Sequence, residues 1–101
     1  MASTLADVLI SVWRQTLIEN ANAIVIDGQK FRVRRTSRSQ LREVDFEFNG
    51  QTLRAIEQNP ATSSRWAHFA REGKKVMQFL SRGKYVANVV DGKANIYQHD
   101  D

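Results

Sequence analysis

Two histidines are the only imidazole side chains in this sequence of 101 residues, and the sequence contains no cysteine. Without a thiol, the chain has no thiolate nucleophile, no disulfide and no zinc site built on sulfur. His99 is followed by Asp100 and Asp101, but three adjacent residues cannot surround a metal ion from several sides. His68 lies in a predicted helix, where we expect it to be exposed or half-buried. The histidines therefore indicate neither a metal site nor a catalytic base.

The acidic residues that could act together are Glu43, Asp45 and Glu47, which alternate along one predicted strand. Alternate residues of a strand share a face, so the three carboxylates would lie in a row. The basic side chains predicted opposite them would lower their pKa values, whereas a general acid needs a raised pKa. The sequence has no glycine-rich phosphate-binding motif, no serine elbow and no Ser-x-x-Lys motif. We therefore expect no enzymatic activity, no cofactor and no metal.

The 15 basic residues outnumber the 11 acidic ones, and most of them fall into two groups. The first group consists of Lys30, Arg32, Arg34, Arg35, Arg38 and Arg42. The second group comprises Arg65, Arg71, Lys74, Lys75, Arg82 and Lys84, and it includes one acid, Glu72. Clusters of this kind either bind an anionic partner or keep a surface solvated.

The first basic group is predicted to be neutralised by the strand beside it. A hairpin with a loop at residues 37–40 places three pairs of opposite charge across its strands: Lys30–Glu47, Arg32–Asp45 and Arg34–Glu43. Arg54 is expected across from Asp45 on the following strand. Three arginines stay near the loop: Arg35, Arg38 and Arg42. We prefer this ladder of ion pairs on a solvated sheet face to a nucleic-acid surface.

The second basic group is interleaved with aromatic residues. Surfaces that bind single-stranded nucleic acid combine cations with rings on which bases stack. The candidate contacts for an anion or nucleic acid are Arg65, Trp66, Lys74, Lys75, Arg82 and Lys84, with Phe69 and Tyr85 among them. The alternative is that two lysines complement the end of a helix and the other cations solubilise a hairpin tip.

The first predicted helix covers residues 5–17. One face carries the apolar spacing of a helix: Leu5, Val8, Leu9, Val12, Trp13, Thr16 and Leu17. Thr4 and Asp7 resemble a capping box at its start. Ile10 and Ile18 widen the stripe, which predicts a well-covered helix.

The second predicted helix covers residues 60–72, with a regular start nearer Thr62 as the alternative because its first turn is weak. Asn59 is placed as its N-cap, Pro60 at its first position and Gly73 directly after its end. Trp66 of this helix and Trp13 of the first are both expected to be mostly buried.

Seven strands are predicted from residue alternation and turn dipeptides. Three dipeptides favour two-residue turns with positive φ: Asp27-Gly28, Asn49-Gly50 and Asp91-Gly92. A four-residue loop at 37–40 and a three-residue turn at 81–83 join the other hairpins. The predicted cross-strand neighbours are Ile24–Phe31, Phe31–Phe46, Val33–Val44, Thr36–Leu41, Val44–Ala55, Phe46–Leu53, Met77–Ala87, Phe79–Tyr85, Ala87–Ile96 and Val89–Ala94.

The order of these elements predicts one α+β domain over residues 1–101, with a frayed tail at about 99–101. An N-terminal helix precedes a four-strand antiparallel meander, and a second helix precedes a three-strand antiparallel meander that is apolar on both faces. The outer strands, 23–27 and 93–98, carry little that discourages edge pairing. Barrel-like closure, cover by the first helix and a symmetric homodimer are the alternatives that would protect them.

These patterns predict a small non-enzymatic protein-interaction or regulatory module that contacts an unidentified protein partner through a sheet edge or the second meander. The alternative is a weak, sequence-tolerant binder of single-stranded nucleic acid that uses region 65–85. No apolar run approaches the roughly 18–20 residues of a membrane-spanning helix, and no signal peptide is recognisable. We therefore expect a cytoplasmic location and no membrane partner.

Overall fold

The first helix begins at the predicted capping box. In the computed structural model, which describes residues 3–61 and 67–97, α1 spans Leu5–Trp13. Thr4 Oγ1 accepts a hydrogen bond from the Asp7 backbone N–H at 3.2 Å, and Asp7 Oδ2 accepts one from the Thr4 N–H at 3.4 Å. These bonds satisfy backbone donors that the first helical turn leaves free.

A π-helical turn over Arg14–Ile18 continues α1 and changes which side chains face the sheet. The Glu19 N–H donates to the Arg14 C=O at 2.9 Å, which is the longer-range bond of a π-turn. Thr16 and Leu17 are buried, but Ile18 is 48% exposed because the turn shifts the helical phase. The predicted apolar face is therefore confirmed to Leu17, whereas the prediction that Ile18 is covered is wrong.

Within the described part of the chain, eight strands form two antiparallel sheets. The smaller sheet is a hairpin of β1 (Ala23–Ile26) and β2 (Gln29–Arg32). The larger sheet contains, in spatial order, β3 (Arg34–Arg35), β4 (Arg42–Phe48), β5 (Gln51–Gln58), β6 (Val76–Ser81), β7 (Lys84–Val90) and β8 (Lys93–Ile96). The predicted α+β architecture is confirmed. Within residues 3–61 and 67–97, β3 and β8 remain at opposite edges of an open sheet, so barrel-like closure is not observed.

The three two-residue turns form as predicted. Their six residues take positive φ angles between 46° and 82°, in agreement with the Asp-Gly and Asn-Gly dipeptides. The registers that depend on these turns are confirmed: Ile24–Phe31, Val44–Ala55, Phe46–Leu53, Ala87–Ile96 and Val89–Ala94. The loop at 37–40 also forms, since the Thr36 N–H donates to the Leu41 C=O at 2.8 Å.

The predicted second strand is divided at Val33, and only its second part pairs with β4. The β3–β4 ladder contains Arg34–Glu43 and Arg35–Arg42. The Val33 N–H donates to the Asn22 C=O at 2.9 Å, which extends the β1–β2 hairpin and separates β2 from β4. Four predicted pairs are therefore wrong as ladder partners: Phe31–Phe46, Val33–Val44, Lys30–Glu47 and Arg32–Asp45.

The register between β6 and β7 differs from the predicted one by one residue next to the turn and by two residues from Phe79 towards Val76. Arg82 and Gly83 take φ angles of 51° and 77°, so they form a two-residue turn rather than the predicted three-residue turn. A register shift between Phe79 and Leu80 then places Phe79 opposite Ala87, and Met77 lies opposite Val89. The predicted pairs Met77–Ala87 and Phe79–Tyr85 are wrong, but a two-residue shift keeps Met77 and Phe79 on the predicted face.

The second helix is shorter within the described residues than the sequence predicts. α2 spans Ala67–Arg71, while Pro60 and Ala61 lie in a turn. Gly73 (φ 89°) follows the helix as predicted, donating to the Ala70 C=O at 3.0 Å while Lys74 donates to the Phe69 C=O at 3.1 Å. Neither described helix is long and apolar enough to cross a membrane.

The core lies between α1 and one face of the larger sheet. Its buried side chains come from the helix, the β1 strand and four sheet strands: Val8, Leu9, Val12, Leu17, Ile24, Ile26, Val44, Phe46, Leu53, Ala55, Met77, Phe79, Ala87 and Val89. The rings of Phe46 and Phe79 meet edge to face with centroids 6.1 Å apart. Trp13 is half-buried against this core, and Trp66 lies outside the described residues.

The opposite face of the larger sheet contacts α2 and is more polar than predicted. Val76 is buried there, but so are Gln78 and Asn88, which lie opposite each other on β6 and β7. The Asn88 Nδ2 donates to the Tyr97 hydroxyl at 2.9 Å, and the Asn95 Nδ2 donates to the Asn88 Oδ1 at 2.9 Å. The second meander is therefore covered on both faces, but its α2 side is not purely apolar.

Candidate functional site

The outer edge of β8 presents unpaired backbone groups. In an antiparallel ladder, hydrogen-bonded pairs alternate with non-bonded pairs. Lys93 flanks the two-residue turn and the Tyr97 N–H donates to the Val86 C=O at 2.7 Å, so Ala94 and Ile96 occupy the non-bonded positions. Their N–H and C=O groups point away from β7, and no described residue hydrogen-bonds to them. The Ile96 side chain is 45% exposed beside them.

On the edge of β1, the side chain of Gln15 closes the outward backbone groups of Val25. The Val25 N–H donates to Gln15 Oε1 at 2.8 Å, and Gln15 Nε2 donates to the Val25 C=O at 3.1 Å. Gln15 Nε2 also donates to Ser11 Oγ at 3.0 Å, which holds the amide in place. The carboxamide thus bonds to β1 as a neighbouring strand would. The expectation that the first strand is unprotected is therefore wrong.

The remaining edges are short or charged. β3 consists of Arg34 and Arg35 alone, and Arg35 Nη1 donates to the Gln40 C=O at 2.8 Å. By the same alternation of pairs, the outward backbone of β2 lies at Lys30 and Arg32, which are both exposed. Short edge strands and basic side chains discourage the addition of another strand. β8 is therefore the edge best suited to accept one.

An open groove of about 600 Å³ lies beside β8 on the side of the sheet that carries α2. Two lysines and two aromatic rings line it: Lys74, Lys93, Phe69 and Tyr97. Lys74 Nζ lies 5.2 Å from the centroid of the Phe69 ring and 3.5 Å from Glu72 Oε1. Lys93 is exposed and forms no ion pair with a described residue. The groove therefore combines positive charge with aromatic surface.

Asp91 also lines this groove, but its carboxylate already accepts a hydrogen bond. Asp91 Oδ1 accepts the Lys75 N–H at 2.7 Å, and the Asp91 N–H donates to the Lys75 C=O at 2.9 Å. Trp13 Nε1 donates to the same Lys75 C=O at 3.0 Å. The backbone of Lys75, a predicted contact residue, thus joins the β7–β8 turn to α1.

The structure separates the predicted contact residues into two places. Lys74 lines the groove and Lys75 immediately precedes β6, whereas Arg82 and Lys84 lie at the β6–β7 turn. The two sites are at opposite ends of β6, and a strand of this length spans roughly 20 Å. The four cations therefore do not form one patch. Arg65 and Trp66, the other two predicted contacts, lie outside the described residues.

Ion pairs occupy part of the first basic group. Arg34 Nη2 lies 3.3 Å from Glu43 Oε1 and 3.1 Å from Asp45 Oδ2, and Arg54 Nε lies 2.8 Å from Asp45 Oδ1. The hydrogen bond from Arg54, with the charge of Arg34, lowers the pKa of Asp45 against a smaller opposing effect of burial. The predicted Arg34–Glu43 and Arg54–Asp45 neighbours are confirmed. Arg32 and Lys30 form no ion pair with the described acids.

Arg42 joins the end of the first helix to the larger sheet. Its Nε and Nη2 donate to the two carboxylate oxygens of Glu57 at 3.0 and 2.9 Å. Its Nη1 donates to the Thr16 C=O at 2.8 Å and to Asn20 Oδ1. The Arg42 and Glu57 side chains are only 15% and 19% exposed. The sequence predicts only that Arg42 lies near the loop at 37–40. It does not predict the contacts with Thr16 and Asn20, which are distant along the chain.

The stability that Glu57 contributes is expected to depend on pH. Burial would raise the pKa of Glu57, but the side-chain and backbone hydrogen bonds of Arg42, with its charge, hold that pKa below the ordinary 4.5. The unfolded chain therefore takes up the proton first, so this contribution is complete above pH 4.5 and is lost as the pH falls through the lowered value. In urea titrations, the stability difference between wild type and Glu57→Gln should shrink from pH 7 to pH 3. A difference that stays constant over this range would contradict the account.

The histidines show no metal-binding geometry within residues 3–61 and 67–97, where no three His, Asp or Glu side chains come together to hold an ion. His68 is exposed on α2, as the sequence predicts, and its ring centroid lies 4.0 Å from that of Phe69. His99, Asp100 and Asp101 lie outside the described residues.

The sequence predicts strand 93–98 as an outer edge, but it does not predict that Lys93 and Tyr97 line a groove or that Gln15 contacts β1. Strand alternation places Lys93 and Tyr97 on one face of β8, so their proximity could have been inferred from the confirmed register. Their meeting with Lys74 and Phe69 depends on how α2 packs, and no local signal predicts it. The Gln15 contact with β1 is likewise set by tertiary packing.

The described residues therefore offer the open edge of β8 and a basic, aromatic groove beside it. Comparison of the chain with protein-family models, with curated proteins and with solved structures finds no match. The candidate function is consequently argued from this edge and groove alone.

Proposed function

We propose that this chain is a non-enzymatic protein-interaction module that takes up an extended segment of a partner as an additional strand along β8. The observation that carries the proposal is the outward backbone of Ala94 and Ile96, which has no hydrogen-bond partner among the described residues. An added strand would satisfy these donors and acceptors. The proposed location of the module is the cytoplasm, as expected from the sequence.

The contrast with β1 supports this choice of edge. Both strands end a sheet, but Gln15 occupies the outward groups of Val25 while those of β8 stay open. Proteins commonly block edge strands with charges, shortening or cover, because an open edge pairs with other chains. An edge that is blocked at Val25 and an edge that is open at Ala94 and Ile96 favour a binding role for β8.

Ala94→Pro tests the proposal, because proline removes the outward N–H without removing a bond of the β7–β8 ladder. The ligand is a short peptide in which valine and serine alternate. We expect Ala94→Pro to weaken its binding by about fivefold to tenfold, the effect of one lost hydrogen bond. Fluorescence anisotropy of the labelled peptide measures the dissociation constant. Ala94→Ser keeps the N–H and is the matched control.

Thermal unfolding of Ala94→Pro should confirm that the variant is folded before binding is compared. A folded Ala94→Pro that binds as tightly as Ala94→Ser would contradict strand addition at β8. A second copy of the chain is the competing occupant of the edge. Light scattering that gives the mass of one 11.6 kDa chain at tens of micromolar would exclude this homodimer.

Single-stranded nucleic acid is the second candidate ligand. The proximity of Lys74, Lys93 and Phe69 in one groove favours it, because bases stack on aromatic rings while lysines contact phosphates. The separation of Arg82 and Lys84 from this groove reduces the charge available for a continuous strand. Micromolar binding of oligothymidylate that weakens steeply with salt would favour this candidate.

A further inference from the structure

We propose that the groove beside β8 selects acidic side chains, so that the partner segment is an extended peptide in which acidic and apolar residues alternate. This inference rests on the proposed strand addition at β8 and specifies the chemistry of the partner. The groove contributes the selectivity, whereas the strand edge contributes the backbone pairing.

The two faces of β8 offer different surroundings to an added strand. Lys93, Asn95 and Tyr97 alternate along the α2 side, and all three line the groove. Ala94 and Ile96 lie on the α1 side, since their partners on β7 are the core residues Val89 and Ala87. Alternate side chains of an added strand would therefore enter the basic groove, and the others would lie beside apolar surface.

The charge of the groove favours a carboxylate over a neutral side chain. Among the described acids, Lys93 forms no ion pair and Lys74 pairs only with exposed Glu72, at 3.5 Å. An exposed pair of this kind contributes little and does not prevent Lys74 from meeting a second anion. Asp91 also lines the groove and accepts the Lys75 N–H, so the two lysines leave the lining with an excess of one positive formal charge.

The edge itself favours a peptide over a nucleic acid. Ala94 and Ile96 each present one donor and one acceptor, which a peptide backbone matches with an acceptor and a donor. A phosphate backbone offers acceptors alone, so it would bring its oxygens towards the two outward C=O groups. We therefore assign the site to an acidic extended peptide, and binding of nucleic acid is an outcome of the test.

Three labelled peptides test the inference against wild type, Lys93→Glu and Arg38→Glu. Valine alternates with glutamate, serine or lysine in the three peptides, and oligothymidylate is the fourth probe. We expect wild type to bind the glutamate peptide about fivefold more tightly than the serine peptide, which is the effect of one or two exposed ion pairs. Lys93→Glu should reverse this preference towards the lysine peptide. Arg38→Glu makes the same charge change on the loop beside β3, and it should preserve the preference.

Each other outcome overturns the inference in a distinguishable way. Equal binding of the glutamate and serine peptides, with binding of both still weakened by Ala94→Pro, would remove the acidic selectivity and leave strand addition intact. Failure of all three peptides to bind would remove strand addition as well. Tighter binding of oligothymidylate than of any peptide, sensitive to Lys93→Glu, would assign the groove to nucleic acid.

Discussion

Replacing Arg42 by methionine is expected to lower the free energy of unfolding by about 3 kcal/mol, because it leaves a mostly buried carboxylate without its partner. Glu57 would lose two side-chain hydrogen bonds from the guanidinium, and the Thr16 C=O would lose a donor at the end of the helix. Methionine keeps much of the side-chain volume, so the loss reports on the polar contacts. Urea denaturation at neutral pH measures the change.

Two further variants serve as controls for Arg42→Met. Arg38→Met removes the same charge from an exposed loop position and should change the free energy of unfolding by less than about 0.5 kcal/mol. Arg42→Lys keeps the charge but loses the planar fork that engages Glu57, so its stability should lie between those of wild type and Arg42→Met. Equal free energies of unfolding for Arg42→Met and Arg38→Met would contradict a stabilising role for the contacts of Arg42 with Glu57 and Thr16.

Replacing Gln15 by leucine is expected to lower the free energy of unfolding by about 2 kcal/mol and to open the edge of β1, because two hydrogen bonds to Val25 are lost. Val25 is 43% exposed, so the freed backbone groups reach water, which limits the cost. They also become available to a second chain. Urea denaturation measures the stability, and sedimentation velocity over a range of concentrations measures association.

Gln15→Glu is the matched control for this variant. Glutamate retains an acceptor for the Val25 N–H but presents no donor to the Val25 C=O, so we expect roughly half of the loss in stability. A Gln15→Leu protein that is as stable as wild type and monomeric at every concentration would contradict the sealing role. A Gln15→Leu protein that loses stability but stays monomeric would contradict only the role of Gln15 in protecting the edge of β1.

The sequence predicts the elements of this fold better than their long-range partners. The turn at Asn49-Gly50 is specified by two adjacent residues, and the β4–β5 register follows from it. Val33, in contrast, carries no local sign that its N–H bonds to Asn22 instead of continuing towards β4. The sequence also predicts the wrong length for the turn at Arg82-Gly83, because arginine is not a usual residue at positive φ.

The candidate site was harder to predict because its residues are distant in sequence. Lys74 and Arg82 are close along the chain, yet β6 separates them. Lys74 and Lys93 are farther apart along the chain, yet they line one groove because α2 packs on the same side of the sheet. Clustering in the sequence was therefore a poor guide to clustering on the surface.

Amide hydrogen exchange, measured by NMR on the dilute monomer, tests most directly whether β8 is open and β1 is closed at Val25. Exchange reports on whether each N–H is hydrogen-bonded. We expect fast exchange at Ala94 and Ile96, and slower exchange at Asn95 and Tyr97, whose N–H groups bond within the sheet. We also expect protection of the Val25 amide, through its 2.8 Å bond to Gln15 Oε1. Ala94 and Ile96 amides as protected as that of Asn95, or a Val25 amide that exchanges as fast as theirs, would contradict the open edge of β8 and the closed position at Val25.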